Sequence, residues 1–215
     1  MHEGDVMVPG TLALLRDLMG DPDLAEFRLV GGTGLAIQYG HRKSVDLDLF
    51  ESGGPRDPVF FRTLTERFAP RHVVTESRVI RIYSLRGVKV DFVSIPYPWL
   101  DPPVETDGIR LASPRDIAAM KLLAIVNRGS KKDFVDLHAL LSRYSMEEMF
   151  GFFFQKYGRD SEFALYKSVL FFGDADPEPM PEMAKPVSWE TIKADIRSEA
   201  GRSIDAREGA PELQS

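Results

Sequence analysis

The spacing of apolar and polar residues divides the chain into a strand-rich first part and a helical second part. Residues 11–19 (TLALLRDLM) repeat apolar positions at helical spacing and stop at Gly20, which predicts a helix. Phe27-Arg28-Leu29-Val30 reads as a short strand running into Gly31-Gly32, followed by a short helix over 35–39 that Gly40 ends. From Ser44 to Phe50 the alternation is strict. Val45, Leu47 and Leu49 fall on one strand face, and Asp46 and Asp48 on the other. Asp57-Pro58 supplies an N-cap and a first-turn proline for a helix reaching about Phe68. Two β-rich runs, 73–85 and 88–95, flank Arg86-Gly87 and predict an antiparallel hairpin. In the second run Val88, Val90 and Phe92 share a face, which leaves Lys89 and Asp91 on the opposite one. Pro96, Pro98, Pro102 and Pro103 then mark a loop.

Beyond Ala112 the period changes to that of helices. Ser113-Pro114-Arg115-Asp116 has the form of a capping box, and residues 117–126 are apolar on nearly every side apart from Lys121, the pattern of a buried helix. Ser130-Lys131-Lys132-Asp133 predicts a second capping box opening a helix through Phe134, Val135, Leu137, Leu140 and Leu141. On that reading capping accounts for Asp133, and Asp136 pairs with Lys132 at helical spacing. Ser145-Met146-Glu147-Glu148 opens another helix, and 159–172 a fourth. The run Phe150-Gly151-Phe152-Phe153-Phe154 is too short to span a membrane and is expected in the core of the bundle. Residues 174–186 read as an extended linker, 188–199 as a last short helix, and the remainder as a solvated tail. Strands first and helices later is the α+β pattern. The expected divisions are a core over 1–112, a helical region over 113–173, and a linker, short helix and tail over 174–215.

Composition narrows the classes. The chain has 215 residues and no cysteine, so it holds neither a disulfide framework nor a thiolate zinc site. No basic-then-apolar leader opens it, and no window reaches the roughly 18 apolar residues of a membrane span, so a soluble, cytoplasmic protein is expected. A net charge of -6 argues against a surface devoted to nucleic acid and leaves room for a local basic patch. Arg42 and Lys43 are candidates for such charge; a solvated loop pair is the competing reading. His2, His41, His72 and His138 show no metal-ligand spacing.

The chemistry converges on the glycine turn and the aspartates. Two carboxylates two residues apart on a strand point the same way, and hard divalent cations such as Mg²⁺ take oxygen ligands of this kind. Asp91, on another half-buried strand, is the candidate third carboxylate of a two-metal clamp. Gly31 and Gly32 let backbone N–H groups approach phosphate oxygens at a helix N-terminus. Lys121, alone among apolar neighbours, is either a snorkelling side chain or a point charge for phosphate.

The segments Val30-Gly31-Gly32 and Val45-Asp46-Leu47-Asp48-Leu49 together resemble the signature of the DNA polymerase β nucleotidyltransferase superfamily. Ser113-Pro114-Arg115-Asp116 and the run to Ala124, then Arg128 and Lys132-Asp133-Phe134-Val135-Asp136-Leu137, make it similar to the AbiEii/AbiGii toxin family. Many members are toxins of bacterial toxin-antitoxin pairs. The resemblance covers residues 27–142. It implies a mixed sheet flanked by helices, two Mg²⁺ ions, transfer of a nucleotide from ATP or another NTP, and an acceptor that in some members is the 3′ end of tRNA. By the same resemblance Asp46, Asp48 and Asp91 bind metal, and Asp91 helps deprotonate the acceptor. Gly31, Gly32, Thr33, Lys121 and Lys132 hold the nucleotide, with Lys121 counted among the catalytic residues. Thr33 stands where serine is common in the family. Two other readings stand beside the enzyme: a catalytically inactive NTP-binding or regulatory module of the same fold, and a component acting through contact with an antitoxin protein.

Overall fold

The computed structural model describes residue 7 and residues 9–54, 56–69 and 71–208. It divides into two compact units, Met1–Ile117 and Ala118–Ser215. The first unit is built on strands β1 (Arg28–Leu29), β2 (Leu47–Ser52), β3 (Arg71–Glu76), β4 (Ile80–Leu85), β5 (Val88–Ile95), β6 (Val104–Thr106) and β7 (Ile109–Leu111). They form one sheet in the order β3-β4-β5-β2-β1-β7-β6. It is mixed: β2 runs parallel to β5 and β1 parallel to β7, while the other neighbours are antiparallel. Helices α1 (Pro9–Gly20), α2 (Gly31–Tyr39) and α3 (Pro58–Glu66) belong to this unit.

Alternation on the central strands decides which face is core. Leu47 and Leu49 of β2 and Val90 and Phe92 of β5 are fully buried, and Phe92 meets the Phe27 ring edge-on at 5.8 Å. Rings in this geometry add attraction beyond the area they bury. Asp57 caps α3 as predicted, accepting from the Val59 N–H at 2.7 Å. The opposite polarity on alternate positions leaves Asp48 and Asp91 half-buried on the other face.

Several boundaries differ from the sequence reading. The expected run 73–85 is two strands, because Ser77 closes a turn: its N–H donates to the Ile80 carbonyl and its hydroxyl accepts from the Ile80 N–H. β-branched residues on both sides of Glu76-Ser77-Arg78, with no glycine or proline between them, hid the reversal. The turn at Arg86-Gly87 is where it was expected, with φ of 50° and 83° at its two residues. The aspartate strand begins at Leu47 rather than Ser44. Val45 is 52% exposed, since residues before Leu47 are fastened to a side chain and not to a neighbouring strand. A hairpin of β6 and β7 about Asp107-Gly108 went unread, although Asp-Gly between short β-prone runs is its usual signal.

The second unit takes in most of α4 (Pro114–Asn127), then α5 (Lys131–Leu140), α6 (Met146–Tyr157), α7 (Glu162–Val169) and α8 (Trp189–Glu208). Ser145 and Glu148 form the full capping box of α6, and Phe150 and Phe153 are buried as expected. Residues 174–186 lack regular structure but are not a loose linker. Lys131 Nζ donates to the carbonyls of Asp176 and Glu178, and its backbone N–H donates to Glu178 Oε2 at 2.8 Å. The last helix also runs on to Glu208, further than Glu199, and the expected tail beyond it lies outside the described residues. No helix among the described residues is long and apolar enough to cross a membrane.

Candidate active site

The glycine turn is shaped by what lies beneath it. Gly31 has φ of 64°, a conformation that side chains other than hydrogen adopt poorly, and α2 begins at once from that turn instead of after a loop. The backbone of β2 is drawn up against it, as the Val30 N–H donates to the Asp48 carbonyl at 2.9 Å. A methyl group on Gly31 would lie 2.1 Å from Asp48 Oδ2, and one on Gly32 2.0 Å from Arg42 Nη2. Close approach therefore bears on both glycines, and conformation on Gly31 alone.

This contact gives a prediction. Gly31→Ala is expected to lower thermal stability by about 1–2 kcal/mol, the cost of a left-handed alanine. It should reduce turnover by a larger factor, because its methyl displaces the Asp48 carboxylate. Melting curves and turnover measured on the same sample check this; a variant as active as the parent would show that Asp48 need not keep its position.

Thr33 is 1% exposed and turns inward. Its hydroxyl donates to the Asp46 carbonyl and lies 2.9 Å from the Ser44 hydroxyl, which holds the entry to β2 against α2. The side chain thus fixes the aspartate segment. Arg42 is not a solvated loop charge: it is 5% exposed, packs under Gly32 and donates to the Lys43 carbonyl at 2.9 Å. Nothing in a one-dimensional charge pair signalled that burial.

The parallel pairing of β2 with β5 sets Asp48 directly across from Asp91 in register. Asp46 lies two residues before Asp48, immediately ahead of β2, and is half-buried. Asp91 Oδ1 is buried and has no hydrogen-bond partner, while Asp91 Oδ2 accepts from Lys89 Nζ at 2.9 Å. Burial works against the charged form of Lys89. The bond to Asp91 and the charges of Asp91, Asp46 and Asp48 outweigh it and raise the lysine pKa above its ordinary value. Among the described residues no three carboxylates or imidazoles are already gathered closely enough to enclose an ion. The donor chemistry nonetheless suits a divalent cation: adjacent carboxylates on a rigid sheet and an orphaned carboxylate oxygen. Lys89 was legible as sharing the face of Asp91 but drew no role in the sequence reading; the spacing of the two residues was its only signal.

In the second unit Lys121 is buried and donates to Asp133 Oδ1 at 3.0 Å, with Asp136 Oδ2 at 2.6 Å. Arg128 donates to both oxygens of Asp133 at 2.8 and 3.0 Å, and Ser130 Oγ donates to Asp133 Oδ2 at 2.7 Å. Burial opposes ionisation of Asp133, but the bonds from Arg128 and Ser130 and the charges of Lys121 and Arg128 prevail and hold its pKa down to about 2. Two expectations are corrected. The Ser130 side chain makes no capping bond, because its hydroxyl donates to Asp133, and Asp136 pairs with Lys121 instead of Lys132. Burial decides both: two carboxylates sealed inside a helix pair require the nearest cation that can also be sealed. Lys132 is exposed.

The family model for the AbiEii nucleotidyl transferase toxin, type IV toxin-antitoxin system, matches residues 13–209. An uncharacterized protein of Aquifex aeolicus (strain VF5) is 35% identical over 174 residues, covering 78% of this chain and 83% of that protein. Among solved structures, the nucleotidyltransferase toxin MenT4 from Mycobacterium tuberculosis H37Rv superposes with a TM-score of 0.63 at 15% identity, covering 91% of this chain and 82% of that one. JHP933 from Helicobacter pylori gives 0.58 at 17% identity, covering 97% and 100%. The structural likenesses bear out an α+β fold with a mixed sheet flanked by helices.

Proposed function

Because the chain belongs to the AbiEii nucleotidyltransferase toxin family, we propose that it moves a nucleotide from an NTP to an acceptor hydroxyl with Mg²⁺ held by Asp46, Asp48 and Asp91. The observation that supports this most is the register of β2 and β5, which puts Asp48 and Asp91 side by side. A divalent ion there would polarise phosphate oxygens and offset the charge that develops as pyrophosphate leaves. The chain itself contributes position. The Gly31-Gly32 turn offers backbone N–H groups at the start of α2 to the phosphates, and the packed Thr33 and Arg42 keep that turn against the aspartates. The acceptor oxygen bonds to the α-phosphorus as the bond to pyrophosphate breaks, and the acceptor proton passes to a carboxylate. Asp91 Oδ1, buried without a partner, suits that role.

Lys121 and Lys132 are assigned to the nucleotide by their place in the family motif. Lys121 is already bonded to Asp133 and Asp136, so its part in that assignment is to help build this end of the motif as well as to carry charge. The acceptor class proposed is RNA, with the tRNA 3′ end as the first candidate, and the biological setting is a pair with an antitoxin.

The test is to incubate the protein with Mg²⁺ and each labelled NTP in turn, with total RNA and with total protein. Label carried to RNA with release of pyrophosphate is expected. Tight NTP binding by calorimetry with no pyrophosphate release on any acceptor would overturn the enzyme reading in favour of a binding module.

A further inference from the structure

Lys89 and Asp91 are two residues apart on β5, so both side chains leave the sheet on one side. Lys89 Nζ donates to Asp91 Oδ2 at 2.9 Å, while Asp91 Oδ1 is buried without a partner. Asp48 stands opposite Asp91 on β2, and the charges of Asp46 and Asp48 also act on Lys89. The carboxylate cluster thus already holds a cation, and the chain supplies it. We infer that Lys89 is a resident counter-ion of the Asp46, Asp48 and Asp91 cluster, competing with the divalent ion for Asp91 and setting how tightly that ion is held. This rests on the metal role proposed above for those three residues.

Asp48 and Asp91, paired across β2 and β5, repel one another, and an ammonium beside Asp91 relieves part of that repulsion while no ion is bound. The affinity of a carboxylate site for a hard divalent cation rises with the negative charge of its ligands, so a lysine that remains nearby weakens binding. Finally, the two oxygens of Asp91 are differently placed. Lys89 holds Oδ2 while the buried Oδ1 carries no bond, so Asp91 keeps acceptor capacity that an ion displacing the ammonium can take up. Departure is unhindered, since the Lys89 side chain is 45% exposed and Asp91 only 17%. The long stem of lysine lets the ammonium swing into water without disturbing the core. An ordinary exposed ion pair would make a different forecast: removing it would change little anywhere.

The experiment titrates the full chain with Mn²⁺ by calorimetry at fixed pH and ionic strength, using the parent, Lys89→Met and Lys89→Arg, and records melting temperatures with and without the ion. Lys89→Met keeps the apolar stem and removes the charge. It is expected to bind Mn²⁺ roughly three- to tenfold more tightly, the size of effect that one partly exposed charge exerts. Its melting temperature should be lower than that of the parent without the ion and rise further on adding it. Lys89→Arg should behave as the parent does. Equal or weaker Mn²⁺ binding by Lys89→Met, or arginine behaving like methionine, would overturn the inference; if the methionine variant does not fold, Lys89→Gln is judged by the same criteria. Asp48→Asn separates the two levels of the argument. Mn²⁺ binding that Asp48→Asn abolishes and Lys89→Met leaves unchanged overturns the role of Lys89 alone. Absence of Mn²⁺ binding by the parent overturns the metal site with it.

Discussion

Asp48→Asn is expected to lower nucleotidyl transfer by about a thousandfold, the scale on which losing a charge that acts at the reacting phosphate is felt. Three contacts converge on this residue. Its carboxylate lies against the Gly31 turn, its carbonyl accepts from the Val30 N–H, and its register partner is Asp91. The amide is nearly isosteric, so the turn and the strand pairing remain and only the charge is lost. Circular dichroism and the melting temperature are therefore expected to stay close to those of the parent, since the residue is half-buried on the polar face of the sheet. Initial rates with saturating NTP measure the effect. A variant within a few-fold of the parent would remove Asp48 from the site, however well the rest of the geometry agrees.

Asp133→Ala is expected to destabilise the protein by about 3–5 kcal/mol, the usual consequence of breaking a buried ion cluster by taking one partner. Asp133 is fully buried and receives Lys121, Arg128 and Ser130 together. Without it Lys121 has Asp136 to share its charge, and Arg128 loses both of its bonds to that carboxylate. Denaturant unfolding of the parent and the variant gives the difference directly, and a change below about 1 kcal/mol would mean the cluster is marginal to folding. The same carboxylate has a pH signature. Its folded pKa is about 2 against an ordinary 3.8, so the unfolded chain takes up its proton first as the pH falls. Its contribution, roughly 2 kcal/mol, is fully present above pH 4 and disappears as the pH drops toward 2. Stability measured over that window should fall less steeply in Asp133→Asn, which cannot titrate.

Much of the fold was legible because its signals are local. The caps at Asp57 and Ser145, the turn at Arg86-Gly87 and the two-residue period of the central strands all act within a few residues of chain. The same locality explains the errors. The turn at Ser77 lay between two β-branched stretches with no glycine or proline to mark it, and the Ser130 hydroxyl, expected to cap α5, turns to a carboxylate that other residues make worth sealing. Segment 174–186 looked like a linker because nothing in its own composition shows that the ammonium and N–H of Lys131 bind it.

The sequence by itself determined that Asp48 lies on the polar face of a strand with Asp46 two residues before it, that a glycine turn precedes them, and which family those motifs resemble, since periodicity and motif are properties of neighbouring residues. Tertiary structure alone decided the rest. It set Asp91 opposite Asp48, closed Gly31 onto that carboxylate, placed Arg42 beneath Gly32 and gave Lys89 to Asp91. The first depends on strand order and register, which join residues more than forty positions apart, and pairing at that distance is set by how a sheet buries one face; the others depend on side chains folding back onto nearby backbone and onto each other.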